Sequence, residues 1–349
     1  MSFGNNLIQW YLENDRDLPW RKSKDPYVIW LSEIMLQQTR VAQGLPYFLS
    51  FIKHFPTVFD LANAPEAKVL KLWQGLGYYS RARNLHFTAK YVANECNGIF
   101  PGTYKDLLKL KGVGDYTASA IASICYQEPV AVVDGNVYRV LARYLGIATP
   151  INTTKGIKEF KAVAQELLEP SEPGNYNQAL MDFGALHCKP QNPLCSTCIF
   201  SESCVAFRSH QVKELPVKEK KLKVKKRYFN YLVVDTEKEA TVLEERKGKG
   251  IWQGLYQFPL VEGKGEVSEE ELLQSARFQE LVHHKEVSVS LFNEKAVVHK
   301  LSHQHLYTNF WIVNTPSVTE ETISWNEVKQ KPVPVLIDKF LKEYLKEEL

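Results

Sequence analysis

Four of the chain's six cysteines fall between positions 188 and 204, in the spacing C-x6-C-x2-C-x5-C. No other feature limits the fold so sharply, because thiols this close in sequence either pair with one another or converge on a shared centre. The other two, Cys96 and Cys125, lie alone in apolar or helical surroundings and read as buried thiols. The fate of the cluster depends on the compartment. The opening stretch MSFGNNLIQWYLENDRDLPW lacks the basic-then-apolar order of an export signal, and no apolar run reaches the ~18 residues of a membrane span. A cytoplasmic, reducing setting is therefore expected, and there four clustered cysteines favour metal over disulfides. Four thiolates so spaced suit one tetrahedral zinc or an iron–sulfur cluster, and the spacing leaves that choice open.

A chain of 349 residues with 44% hydrophobic content is long enough for two domains. Its net charge of +3 permits nucleic-acid binding without arguing for it, since a local basic face matters more than the sum. Residues 1–210 read as mainly α, with apolar periodic stretches such as VFDLANAPEAKVLKLWQGLG between Gly, Pro and Asn punctuation. The lysine-rich stretch 211–227 reads as a solvated linker. From 228 to 349 the composition changes. YFNYLVVD alternates β-branched and aromatic residues, AVVHKLSHQHLYTNFWIV reads as a strand or hairpin, and PVPVLIDKFLKEYLKEEL closes with a helix. This second part is expected to be α+β.

Within the first part, LLKLKGVGDYTASAIAS (107–123) is a helix, a Gly-Val-Gly turn and a second helix. Gly112 and Gly114 can adopt positive φ and expose backbone N–H groups at a helix start, which suits a phosphate oxygen; an ordinary helix–helix turn fits equally well. Twenty residues beyond Gly114, VVDGNVYRVLARYLG places Asp134 as an N-cap. Capping donors also stabilise an ionised carboxylate, which a developing sugar cation needs beside it. Glu33 lies among Trp30, Leu31, Ile34 and Met35. On a solvated face it is an ordinary glutamate; if buried, it keeps its proton near neutrality, and the pair then divides acid and stabiliser roles by environment.

The segments LPWR (18–21), PYVIWLSEIMLQQTRV (26–41), LWQGLGYYSRARNL (72–85), GVGDYTASAI (112–121), VDGNVYRVLAR (133–143) and NQALMDFGALHC (177–188) cover most of the first 210 residues. Together they resemble the helix-hairpin-helix DNA glycosylases of the endonuclease III-like superfamily, and within it the MutY-type adenine glycosylases. The cysteine spacing matches the superfamily's [4Fe-4S] signature, so the resemblance implies a cluster held by Cys188, Cys195, Cys198 and Cys204 that orders a DNA-facing loop. It further implies a base excision repair enzyme that removes adenine mispaired with 8-oxoguanine or guanine in duplex DNA. On this resemblance Glu33 protonates adenine at N7, Asp134 stabilises the oxocarbenium ion, and Tyr116 and Asn136 support the site. Trp20, Arg21 and Gln178 would line the adenine pocket, while Gln38, Thr39, Leu76 and Tyr78 would contact or wedge beside the opposite base. Bifunctional relatives place a lysine at position 116 to form a Schiff base; Tyr116 has no amine, so a monofunctional enzyme leaving an abasic site is expected. Lys111 precedes the turn and offers no attacking geometry.

The stretch EERKGKGIWQGLYQFP (244–259) resembles the Nudix fold, but the adjoining segment LVEGKGEVSEEELLQSARFQELV lacks the Arg-Glu pair and terminal glycine of that family's metal helix. Pyrophosphohydrolase activity is not expected; by resemblance this domain reads 8-oxoguanine. The reader is expected at Leu301, Ser302 and His303, where the family motif usually opens on phenylalanine. His299, His303 and His305 would share one strand face rather than bind zinc. A monomer is expected, of bacterial type and associated with the nucleoid. The rivals are an endonuclease III-like glycosylase/lyase for oxidised pyrimidines and a non-catalytic iron–sulfur protein that binds damaged DNA.

Overall fold

The computed structural model describes residues 2–219, 224–237, 239–283 and 286–346. Residues 220–223 of the expected linker lie outside the described residues. The chain divides into two compact units, 1–63 with 84–220 and 64–83 with 221–349.

The first unit is helical, with no strand among its described residues. The helices that matter for the site are α1 (Phe3–Asn14), α2 (Pro26–Leu36), α3 (Asp115–Tyr126), α4 (Gly135–Leu145), α5 (Thr154–Glu166) and α6 (Pro173–Asp182). Their starts are written in the sequence. Ser2, Asp25 and Thr153 accept hydrogen bonds from backbone N–H groups of the first turns of α1, α2 and α5, and Pro26 and Pro173 occupy first-turn positions where no N–H is missed. α4 stops at Gly146, whose φ of 72° is left-handed. Leu7, Val137, Leu141, Phe160, Tyr176 and Phe183 meet in one buried core to which α1, α4, α5 and α6 all contribute. α6 runs on into a π-turn, Phe183–His187, which delivers the chain to the first clustered cysteine.

The second unit is built on a mixed sheet of β1 (Lys225–Thr236), β2 (Leu260–Gly263), β3 (Ser288–Leu291), β4 (Val297–Lys300) and β5 (Gln304–Thr315). β1 and β5 pair in parallel from Lys225 opposite Gln304 to Thr236 opposite Thr315. β2 flanks β1, while β3 and β4 flank β5, all antiparallel. The strand therefore begins at Lys225, inside the lysine-rich stretch. Leu232, Val234, Trp311 and Val313 bury one side of the central pair against Leu272, Phe278 and Leu281. On the other, Phe310 stacks on Phe340 of the closing helix α7 (Val335–Tyr344) at 4.1 Å between ring centroids. The expected α+β character is present, and of the strand or hairpin offered for AVVHKLSHQHLYTNFWIV the hairpin of β4 and β5 is found.

Candidate active site

α2 is buried along nearly its whole length, so Glu33 has no solvated face to occupy and is only 8% exposed. Its Oε2 accepts a 2.6 Å hydrogen bond from the Tyr116 hydroxyl, which also lies 3.5 Å from Met181 Sδ. Burial pushes the Glu33 carboxyl up to about 7; the Tyr116 hydrogen bond pulls the other way and the negative charge of Asp134 adds to the rise. Tyr116 lies in the first turn of α3, just after the Gly-Val-Gly turn, and this is how two distant sequence positions meet.

Asp134 caps α4. Its Oδ1 accepts from the backbone N–H groups of Asn136 and Val137, each at 2.8 Å, and its Oδ2 from Asn136 Nδ2 at 2.8 Å. Burial nevertheless outweighs these donors and raises the carboxyl above the usual aspartate range. The segment leading to it belongs to no helix or sheet. Side chains satisfy its backbone instead: Asn177 bonds Val130 O and Val132 N at 2.8 and 2.9 Å, and Gln165 accepts from Ala131 N at 3.0 Å. Arg139, 8% exposed, donates to Asn136 Oδ1, Gly184 O and Cys188 O at 2.8, 2.6 and 2.7 Å. A chain of hydrogen bonds thus runs from the first cysteine's carbonyl through Arg139 and Asn136 to Asp134.

Trp20 sits on a short turn, Pro19–Lys22, buried edge-on against Phe48 at 5.0 Å. Arg21 grips the fully buried Asp182 with two nitrogens, one bond being 2.7 Å, and Arg16 reaches the same carboxylate. Gln178 Oε1 accepts from Tyr11 OH at 3.0 Å, and the Arg21 guanidinium lies 5.6 Å from the Tyr11 ring centre. Sequence reasoning missed Asp182, Asn177 and Arg139 as individuals, although each lies inside one of the segments that carry the resemblance.

At the hairpin, Gly112 has φ of 82° and packs so closely that a Cβ would meet Asn84 at 2.7 Å. Gly114 departs from expectation: its backbone is extended (φ −97°, ψ −177°), because it serves as the N-cap of α3. No atom lies within 4 Å of where its Cβ would be, so backbone there is open to approach. Lys111 turns elsewhere, its ammonium 4.2 Å from the Phe87 ring centre. Gln38 stands in the left-handed region (φ 53°), followed by Thr39, whose hydroxyl bonds Gln37 O at 3.3 Å.

Leu76 is buried (3% exposed), so it presents no side chain to a duplex in this conformation. Tyr78 is 46% exposed and held at φ 49° between Gly75, Gly77 and the start of a helix. Trp73 Nε1 and Arg81 Nη2 both donate to Gly77 O, at 3.0 and 3.1 Å, fixing that loop. The Tyr78 hydroxyl lies 2.8 Å from the Ser302 hydroxyl. Leu301, Ser302 and His303 form the turn of the β4–β5 hairpin, closed by Leu301 N to Gln304 O at 2.8 Å. His299 is therefore on β4, His303 in the turn and His305 on β5; a hairpin separates the three that a single strand would have aligned. Tyr78, Trp252, Leu301, Ser302 and His303 line a cavity of about 660 Å³.

Cys188, Cys195, Cys198 and Cys204 all line one small cavity of about 30 Å³ with Arg143, His187 and Phe207. Among the described residues no three ligand-type side chains stand close enough to hold a single metal ion. Four thiolates are a donor set that either a tetrahedral zinc or an iron–sulfur cluster accepts. N–H donors face two of the sulfurs, Arg143 Nη1 at 3.5 Å from Cys188 Sγ and Phe200 N at 3.4 Å from Cys198 Sγ. No helix among the described residues is long and apolar enough to cross a membrane.

Residues 31–170 match the family described as HhH-GPD superfamily base excision DNA repair protein, and residues 230–343 match the NUDIX domain. The chain is 34% identical over 352 residues to the adenine DNA glycosylase of Buchnera aphidicola subsp. Schizaphis graminum (strain Sg), covering 97% of this chain and 98% of that one. Against the adenine DNA glycosylase of Buchnera aphidicola subsp. Baizongia pistaciae (strain Bp) the identity is 37% over 314 residues, covering 89% and 86%. The human adenine DNA glycosylase is 42% identical over 223 residues, 61% of this chain and 41% of that one. Among solved structures, a thermostable thymine-DNA glycosylase superposes with a TM-score of 0.55 at 30% identity, over 59% of this chain and 95% of that one. An endonuclease III–DNA complex matches in fold, with a TM-score of 0.52 at 21% identity over 59% and 94%.

Proposed function

The chain belongs to the adenine DNA glycosylases of base excision repair, and on that premise we propose that its substrate is adenine opposite 8-oxoguanine or guanine, hydrolysed from duplex DNA by Glu33 and Asp134. The observation that carries this reading is the Glu33 carboxyl, buried, hydrogen-bonded to Tyr116 at 2.6 Å and holding its proton up to about pH 7. The adenine nucleotide leaves the stack at a cost of a few kcal/mol, less at a mispair. Glu33 gives its proton to N7 of the extruded base, which lets the N9–C1′ bond break with its electrons going to the purine. Asp134, anionic and fixed by its three donors, offsets the positive sugar until water adds at C1′ and gives its proton to the Glu33 carboxylate. The products are adenine and an abasic site. Tyr116 orients Glu33, Asn136 orients Asp134, and Trp20, Arg21 and Gln178 bound the pocket for the base.

Tyr116 has no amine, and the Lys111 ammonium lies over Phe87, which supports a reaction without strand cleavage. Gly112, Gly114, Gln38 and Thr39 grip the duplex, and Tyr78 with Leu301, Ser302 and His303 reads the base opposite. The four cysteines hold a [4Fe-4S] cluster, which orders the loop between them and does no base chemistry. We assign catalysis to residues 1–210 and lesion reading to 228–349 together with Tyr78, in a monomer acting at the bacterial nucleoid in the cytoplasm.

Single-turnover assays on a duplex with adenine opposite 8-oxoguanine provide the test. Glu33→Gln and Asp134→Asn are expected to abolish adenine release with duplex binding retained, and full activity in either variant refutes its role. Efficient borohydride trapping of the wild-type protein on DNA would instead favour the lyase.

A further inference from the structure

Ala131 lies three residues before Asp134, and both of its backbone polar groups are claimed by one helix. α5 presents Lys161 and Gln165 one turn apart; Gln165 takes the Ala131 N–H, and Lys161 Nζ donates to the Ala131 carbonyl at 2.7 Å. Lys161 does more than its neighbour. The same ammonium donates to Asp115 Oδ2 at 3.0 Å and to Ser119 Oγ at 2.9 Å, both on α3. A lysine ammonium has three protons, and all three are used. The Tyr104 ring lies beneath it at 5.4 Å, and the Tyr104 hydroxyl donates to the other oxygen of Asp115 at 2.5 Å.

Asp115 stands at the first position of α3, directly after the open backbone at Gly114. A carboxylate there favours the helix dipole but repels an approaching phosphate. Lys161 cancels that charge and joins α3 to the segment whose end is Asp134. We propose that Lys161 is a positioning residue which locks the N-terminal turn of α3 to the Ala131–Asp134 segment, so that DNA gripped at the hairpin is held in register with the catalytic carboxylate. This rests on the reading above that Asp134 is catalytic and that the hairpin meets a phosphate.

Lys161→Met, Lys161→Arg and the double variant Lys161→Met/Asp115→Asn test it. Lys161 is 26% exposed and Asp115 49%, so none of these changes strands a buried charge. Excision is followed in single turnover with enzyme in excess, and affinity is measured separately on a duplex carrying a non-cleavable 2′-fluoro adenosine. Lys161→Met is expected to slow excision about tenfold and to weaken binding, because a small displacement of a catalytic group is costly and an uncancelled carboxylate faces the backbone. Lys161→Arg recovers most of the rate. The double variant regains wild-type affinity yet stays slow, since Ala131 has lost its tether. Wild-type excision by Lys161→Met or by the double variant overturns the proposal. If Asp134→Asn is dead in the same assay, only the role of Lys161 has failed; if Asp134→Asn is active, the underlying mechanism has.

Discussion

On the proposed mechanism Glu33 must be protonated before the reaction and Asp134 ionised, although desolvation raises both carboxyls and the charge of Asp134 adds to the rise at Glu33. That tension fixes the pH dependence. Excision should fall as pH rises through about 7, where Glu33 loses its proton, and should also fall on the acid side at a pH above the ordinary aspartate range. A single-turnover profile with a flat alkaline limb would contradict the acid role. The same burial has a cost in stability. Glu33 binds its proton more tightly folded than unfolded, so its favourable contribution is full below about 4.5 and is lost as pH climbs to about 7. The shift corresponds to roughly 3 kcal/mol at alkaline pH. Glu33→Gln should therefore be inactive yet melt higher than wild type at about pH 8, and the two should converge in acid. A variant that melts lower at every pH would show that the carboxylate carries no such penalty.

α4 ties Asp134, the proposed stabilising carboxylate, to a distant piece of the chain, because its N-cap is Asp134 and its next turn carries Arg139, whose planar fork spans Asn136, Gly184 and Cys188. Lysine preserves the charge but not the fork. Arg139→Lys should slow excision by about 10- to 100-fold, the usual cost of removing such support, with Tyr116 and Glu33 untouched; near-normal excision would mean that Asn136 holds Asp134 unaided. How far this was legible in sequence depends on the physics of each element. The caps at Asp25, Asp134 and Thr153 act over two or three residues, so the starts of α2, α4 and α5 can be read locally. Glu33 could be read only as buried or solvated, because the answer depends on what covers α2. Asn177 and Asp182 carry no local signal at all: one replaces a missing strand partner for residues 130–132, the other anchors Arg16 and Arg21 from more than 160 positions away. Gly114 departs from its expected backbone for the opposite reason, since an N-cap takes extended backbone and does not require the left-handed freedom that glycine offers.

The division of the molecule does not respect the order of the chain. Residues 64–83, enclosed by helical sequence, cluster with the sheet-bearing unit, and their hydrogen bonds say why. Gln74 donates to Asp338 at 2.7 Å and accepts from Val333 N at 3.1 Å; Lys71 donates to Lys331 O at 3.1 Å; Arg83 donates to Gln253 O at 2.5 Å. Leu70 lies 3.3 Å from where a Cβ on Gly254 would stand. A chain ended at Glu219 would keep every residue assigned to base removal but strip partners from this segment, exposing apolar surface worth ~25 cal/mol per Å². It should melt lower and aggregate more readily than the full chain. On the proposed lesion reading it should also lose preference for 8-oxoguanine over guanine opposite adenine, because the Tyr78 hydroxyl no longer has Ser302 beside it. Restoring the polar contacts alone cannot repair this. The truncated protein should therefore resist rescue by Lys71→Met, which removes one orphaned donor and leaves the apolar face bare. An unchanged melting temperature on truncation would mean that residues 64–83 draw their stability from elsewhere, and retained lesion preference would place the reader outside the deleted residues.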